Sequence, residues 1–123
     1  DFVVLTVPLT AETTHLIDEA ALRAMKPGAW LINVARGAVV DEGVLAQALR
    51  EKRIAGAALD AFVTEPLPPT HPFYDLDNVI LTPHIAATTD RYDDRALGVF
   101  IDNLRRYLAG EPLVNVVDLK KGY

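Results

Sequence analysis

The sequence of 123 residues has no cysteine. That excludes a disulfide framework, a zinc–thiolate site and thiol chemistry, and it suits a reducing, cytoplasmic setting. The seven glycines stand apart from one another, so there is no Gly-x-Gly-x-x-Gly phosphate loop, and no Gly-x-Ser-x-Gly elbow either. The three histidines and the acidic residues show no metal-ligand spacing, so no metal site is expected. No apolar run approaches the length needed to span a bilayer. Lys and Arg do not cluster, and 12 of them stand against 17 Asp and Glu, a formal net charge of −5. That balance argues against nucleic acid as a partner. The amino end, Asp1-Phe2-Val3, has neither a Met nor the basic region of a signal peptide. It opens inside a strand-like run, which implies a piece of a longer protein.

What is present is the composition of a folded domain, with 50% apolar and 24% charged residues. That is enough for one hydrophobic core. Phe2 to Val7 reads as a strand buried on both faces, ended by Pro8. Asp18 reads as the N-cap of a helix carrying Ala20, Ala21, Leu22 and Met25, stopped by Pro27-Gly28. Ala29 to Val34 is a second strand and Gly37 a turn. Asp41 caps a second helix, with Val44, Leu45, Ala48 and Leu49 at helical spacing. Ile54 to Phe62 is a third strand, and 63–77 a loop with prolines at 66, 68, 69 and 72. Asn78 to Thr82 is a fourth strand. A long helix is expected from about Thr88 to Ala109, with Tyr92, Ala96, Val99, Phe100, Asn103, Leu104 and Tyr107 on one stripe. Gly110 ends it in the left-handed conformation. The alternation predicts an α/β chain with a parallel sheet.

In such sheets ligands bind beyond the carboxyl ends of the strands. Arg36 follows strand two and has the planar fork that binds a carboxylate bidentately. Glu65 lies on the loop after strand three, with Pro66 behind it. His84 follows strand four, between Pro83 and Ile85. An imidazole beside a carboxylate is held in one tautomer and can exchange a proton near neutral pH. Each residue alone reads more readily as a surface or loop residue; what distinguishes the set is its placement at three different strand ends. Asp60 closes strand three among small residues. It either binds an amide or hydroxyl of a ligand or caps neighbouring backbone. His15 and His71 read as structural loop residues.

Four stretches then carry a resemblance: Val7-Pro8-Leu9-Thr10, the segment Asn33 to Leu45, the segment Ala58 to Pro68, and Asn78 to Ala87. In order and spacing the chain resembles the carboxyl-terminal part of the NAD-binding domain in D-isomer-specific 2-hydroxyacid dehydrogenases. Glyoxylate/hydroxypyruvate reductases and phosphoglycerate dehydrogenase-like enzymes belong to that family. The resemblance implies the second half of a Rossmann-type doubly wound parallel sheet over residues 1–109, including the long helix. A tail, 110–123, would return toward a substrate domain. It implies an NAD- or NADP-dependent oxidoreductase that interconverts a D-2-hydroxy acid and a 2-keto acid, homodimeric, with the 123-residue chain by itself inactive.

Residue by residue, Arg36 would bind the substrate carboxylate, His84 act as general acid/base, and Glu65 serve as its carboxylate partner. Val34, Ala35 and Arg36 would line the nicotinamide, and Asp60 would contact its carboxamide. Val7 and Pro8 would flank the adenine and ribose side, Ala86 and Ala87 would close over the nicotinamide edge, and His84 would also touch the cofactor. The family's glycine fingerprint and the residue that selects NAD or NADP are not in this chain. An NAD(H)-sensing corepressor of the same fold is the alternative reading. Formate dehydrogenase, which pairs its His with Gln, is disfavoured by Glu65.

Overall fold

The computed structural model describes residues 1–123. They form two compact units, Asp1–Ala86 and Ala87–Tyr123. The long helix lies in the second unit.

In the first unit, strands β1 (Phe2–Leu5), β2 (Trp30–Asn33), β3 (Gly56–Leu59) and β4 (Val79–Leu81) form one sheet in the order β1-β2-β3-β4. All three pairings are parallel, with Leu5 opposite Asn33, Asn33 opposite Leu59 and Leu59 opposite Leu81. Strands added in sequence order on one side are what half of a doubly wound sheet contains. Two helices, α1 (Glu19–Ala24) and α2 (Glu42–Arg50), connect the first three strands. Both begin as expected: Asp18 accepts the amide of Ala21, and Asp41 the amide of Val44.

The core is Leu5, Leu22, Leu31, Val39, Leu45, Leu49, Ile54 and Leu59, closed by Phe73. Alternate strand residues point away from it. Phe2 is 69% exposed and Val4 53%, so β1 is not buried on both faces as its run of apolar residues implied. The strand alternates because side chains point to opposite faces, and helices pack on only one of them in this unit.

The strands are also shorter than expected. β2 stops at Asn33 because the amide of Ala35 donates to the Asn33 side chain at 3.0 Å instead of continuing the ladder. β3 stops at Leu59, after which Phe62 donates its amide to the Glu65 side chain. The connection to β4 holds a short 3₁₀ turn, Pro72–Asp75, capped by His71, whose Nδ1 accepts from the Phe73 amide.

The second unit is the helix α3 (Tyr92–Ala109) and a tail. α3 starts four residues later than expected, since Thr89 engages the Arg91 amide with its hydroxyl and the Tyr92 amide with its carbonyl. A threonine offering local bonds competes with the helix. Gly110 ends it at φ 70°, as expected. No α3 residue is buried. Asn103 anchors the tail, donating to the Val114 carbonyl at 3.0 Å and accepting its amide at 2.8 Å.

Candidate functional site

The carboxyl ends of the four strands lie along one sheet edge, where the residues that follow them gather. Val7 and Pro8 follow β1, Val34 to Arg36 follow β2, Asp60 to Glu65 follow β3, and Thr82 to Ala86 follow β4. Ala87 falls in the second unit.

His84 and Glu65 meet. Glu65 Oε2 lies 2.7 Å from His84 Nδ1, and Oε1 accepts the Phe62 amide at 2.9 Å. The His84 hydrogen bond and the Phe62 amide hold the Glu65 carboxyl below its ordinary pKa, and the charge of Arg36 acts in the same direction. An ionised carboxylate only accepts, so Nδ1 carries the hydrogen in this pair. That leaves Nε2 as the nitrogen able to exchange a proton with a ligand. Both side chains remain open to solvent, at 43% and 37% exposure. Beside them is a cavity of about 510 Å³, walled by Phe62, Leu67, Tyr74 and Leu81 as well as by the pair.

His84 itself has φ 55°, a left-handed backbone unusual for a non-glycine residue. The turn that carries it is clasped from below by Asp60, which is buried. Asp60 Oδ1 accepts from the Thr82 hydroxyl at 2.5 Å and the Ile85 amide at 2.9 Å, and Oδ2 accepts the Ala86 amide at 2.9 Å. Burial pushes the Asp60 pKa up, but the hydrogen bonds from Thr82, Ala86 and Ile85 outweigh it and hold the carboxyl below its ordinary value. Asp60 thus caps the backbone of the turn that carries His84. A carboxylate has about four acceptor positions, so one on Oδ2 is left for a further donor.

Arg36 is exposed, and its guanidinium donates to the Ala35 carbonyl at 2.7 Å. Its neighbour Gly37 presses on the loop after β3. A Cβ there would stand 1.9 Å from the Phe62 carbonyl carbon and 2.2 Å from the Val63 nitrogen. Only glycine permits that approach, and it brings the Arg36 turn against the segment leading to Glu65. Glu42, at the start of α2, holds the same segment by accepting the Val63 amide at 2.8 Å.

Three residues of this framework were not singled out from the sequence. Glu42 was read only as part of a helix, Thr82 as the end of a strand, and Asn33 as an ordinary strand residue. The one signal for Asn33 was a polar residue inside an otherwise apolar strand-like run, Ala29 to Val34.

A family model described as "D-isomer specific 2-hydroxyacid dehydrogenase, NAD binding domain" matches residues 1–86. The chain belongs to that family. Among relatives of this dehydrogenase family, a glyoxylate reductase of Thermofilum pendens is 53% identical over 123 residues, covering 98% of the chain and 36% of the relative. A glyoxylate/hydroxypyruvate reductase B of Pectobacterium carotovorum is 52% identical, covering 96% of the chain and 37% of the relative. A crystal structure of a D-isomer specific 2-hydroxyacid dehydrogenase from Xanthobacter autotrophicus, in complex with NADPH and MES, superposes with a TM-score of 0.91 at 46% identity. It is matched over 99% of this chain and 50% of that one. The chain spans about a third of the length of the curated relatives it matches. The expected fold class is thereby established: a parallel α/β sheet of the Rossmann-like NAD-binding domain.

The residues at the strand ends fit a nicotinamide cofactor. Val34 is an apolar side chain left 40% exposed between buried Asn33 and Ala35, a surface suited to a flat ring.

Proposed function

We propose that the intact protein reduces a small 2-keto acid to the D-2-hydroxy acid with NAD(P)H, and catalyses the reverse oxidation. The observation that carries this reading is the His84–Glu65 contact of 2.7 Å at the strand-end edge, with the charge of Arg36 acting on the same carboxylate. Glyoxylate and hydroxypyruvate are the substrates to test first, because the relatives named above are reductases of those compounds. The same names favour an enzyme over the NAD(H)-sensing corepressor.

Val7, Pro8, Val34, Ala35, Asp60, Ala86 and Ala87 are proposed to hold the cofactor, which when bound supplies or accepts the hydride. The chain's own residues do the rest. Arg36 binds the substrate carboxylate and fixes the keto carbon in place. His84 holds on Nε2 the proton that passes to the carbonyl oxygen as the carbon–oxygen double bond becomes single. Glu65 fixes the imidazole through Nδ1. In the oxidative direction the same nitrogen takes the hydroxyl proton. Either NAD or NADP is compatible with these residues.

The protein is further proposed to be a cytoplasmic homodimer. No helix is long and apolar enough to cross a membrane. Light scattering of the intact protein measures its mass and tests the dimer.

The decisive experiment follows NAD(P)H absorbance as the intact protein meets glyoxylate or hydroxypyruvate. Turnover abolished by His84→Ala supports the reading. Absence of turnover with any 2-keto acid and either cofactor refutes it.

A further inference from the structure

The buried polar or charged residues of the molecule are two, Asn33 and Asp60; Asn33 is the last residue of β2 and Asp60 the first after the neighbouring β3. Asp60 clasps the turn that carries His84. Asn33 makes the corresponding contacts with the turn that carries Arg36. Its Oδ1 accepts the Ala35 amide at 3.0 Å, and its Nδ2 donates to the Arg36 carbonyl at 3.0 Å. The side chain thus holds the peptide groups on both sides of the Ala35–Arg36 link, from a position only 1% exposed.

Neither bond belongs to the sheet. The ladder has already ended, and Asn33 reaches forward two and three residues along its own chain, as Asx turns do. The far side of the turn is fixed independently. Gly37 is packed on the Phe62–Val63 backbone, and the Val39 amide donates to the Arg36 carbonyl at 3.2 Å. Arg36 is therefore an exposed cation on a backbone pinned from both ends, and Asn33 is the pin on the strand side.

We infer that Asn33 is a positioning residue for the carboxylate-binding arginine: by clasping the Ala35 amide and the Arg36 carbonyl, it sets where the Arg36 guanidinium meets the substrate carboxylate. This rests on the function proposed above. A bidentate contact has strict geometry, so a backbone that drifts by a fraction of an ångström weakens it.

The test compares Asn33→Ala and Asn33→Ser in the intact protein. Alanine leaves the Ala35 amide and one acceptor position of the Arg36 carbonyl unmet. Serine can meet the amide as a shorter cap but does not also reach the carbonyl. With glyoxylate as the varied substrate, Asn33→Ala is expected to raise KM about 10-fold or more, and Asn33→Ser about 3-fold. The NAD(P)H dissociation constant, read by fluorescence, stays within about 2-fold in both. A crystal structure of either variant is expected to show the Arg36 turn displaced from its wild-type position. A merely structural role predicts lower thermal stability with glyoxylate KM unchanged, and that result in either folded variant overturns the inference. So does a variant crystal structure with Arg36 unmoved. An inactive wild-type protein is a different outcome: it refutes the proposed function and this inference with it.

Discussion

His84 Nδ1 lies 2.7 Å from Glu65 Oε2, while the other oxygen of Glu65 accepts the Phe62 amide at 2.9 Å. The carboxylate is thus fixed by backbone before it meets the imidazole. It orients the ring without depending on solvent for its second oxygen, and it leaves Nε2 as the working nitrogen.

Replacing Glu65 by Gln removes the charge and keeps the shape. The imidazole then loses the carboxylate that holds its ring in place, so kcat for keto-acid reduction is expected to fall. Cofactor affinity stays nearly unchanged. Steady-state kinetics of the two proteins check this; an unchanged kcat would leave Glu65 an ordinary loop carboxylate. Because the Glu65 pKa is lowered on folding, its stabilising contribution is present above the ordinary glutamate value and is lost as pH falls through the folded one. Glu65→Gln therefore also flattens the loss of stability in acid, measured by urea unfolding at several pH values.

His84→Ala is expected to lower kcat at least ~100-fold, the usual contribution of a positioned acid. NAD(P)H binding, read by fluorescence titration, persists. Loss of cofactor binding together with kcat would point to a collapsed turn instead of a missing proton donor.

Arg36→Lys keeps the charge and loses the fork. The cost is expected to be about 1.5–3 kcal/mol, the range for a hydrogen bond to a charged group, or roughly 10- to 150-fold in kcat/KM for 2-keto acids. Steady-state kinetics with glyoxylate measure it, and an unchanged kcat/KM removes Arg36 from the substrate site.

Asp60→Asn turns an acceptor toward a donor. One amide hydrogen of the new side chain faces the amide of Ile85 or Ala86, and leaving such a buried donor unpaired costs about 1–3 kcal/mol. The wild-type carboxyl has its pKa lowered on folding, so its contribution is present above the ordinary aspartate value and disappears as pH falls through the folded one. The gap in stability between wild type and Asp60→Asn, from denaturant unfolding, is therefore expected to be widest at neutral pH and to close in acid.

Gly37→Ala places a methyl group against the backbone of Phe62 and Val63, at 1.9 and 2.2 Å. No side-chain rotation relieves a clash with backbone. Stability falls by about 1–3 kcal/mol or more, and the displaced segment carries Glu65 away from His84. Denaturant unfolding and kcat in the same variant read the two effects.

The sequence by itself determined whatever depends on bonds between near neighbours in the chain. Asp18 and Asp41 announce their helices because a cap reaches only to the third residue beyond it. Gly110 ends its helix because glycine adopts the left-handed conformation at little cost. Arg36, Glu65 and His84 were legible as candidates because strand ends are marked by where apolar runs stop. The tertiary structure alone decided what those residues touch. Glu65 meets His84 across 19 residues, and Asp60 reaches Ile85 and Ala86 across 25 and 26. Those contacts follow from the register that sets Leu59 beside Leu81, so that the residues after β3 and β4 emerge together. A parallel pairing is made by groups far apart in the chain, and no local spacing encodes it. For the same reason the exposure of Phe2 and Val4, the close approach of Gly37 and the clasp of Asn33 appear only once the strands are paired and the helices laid on one face.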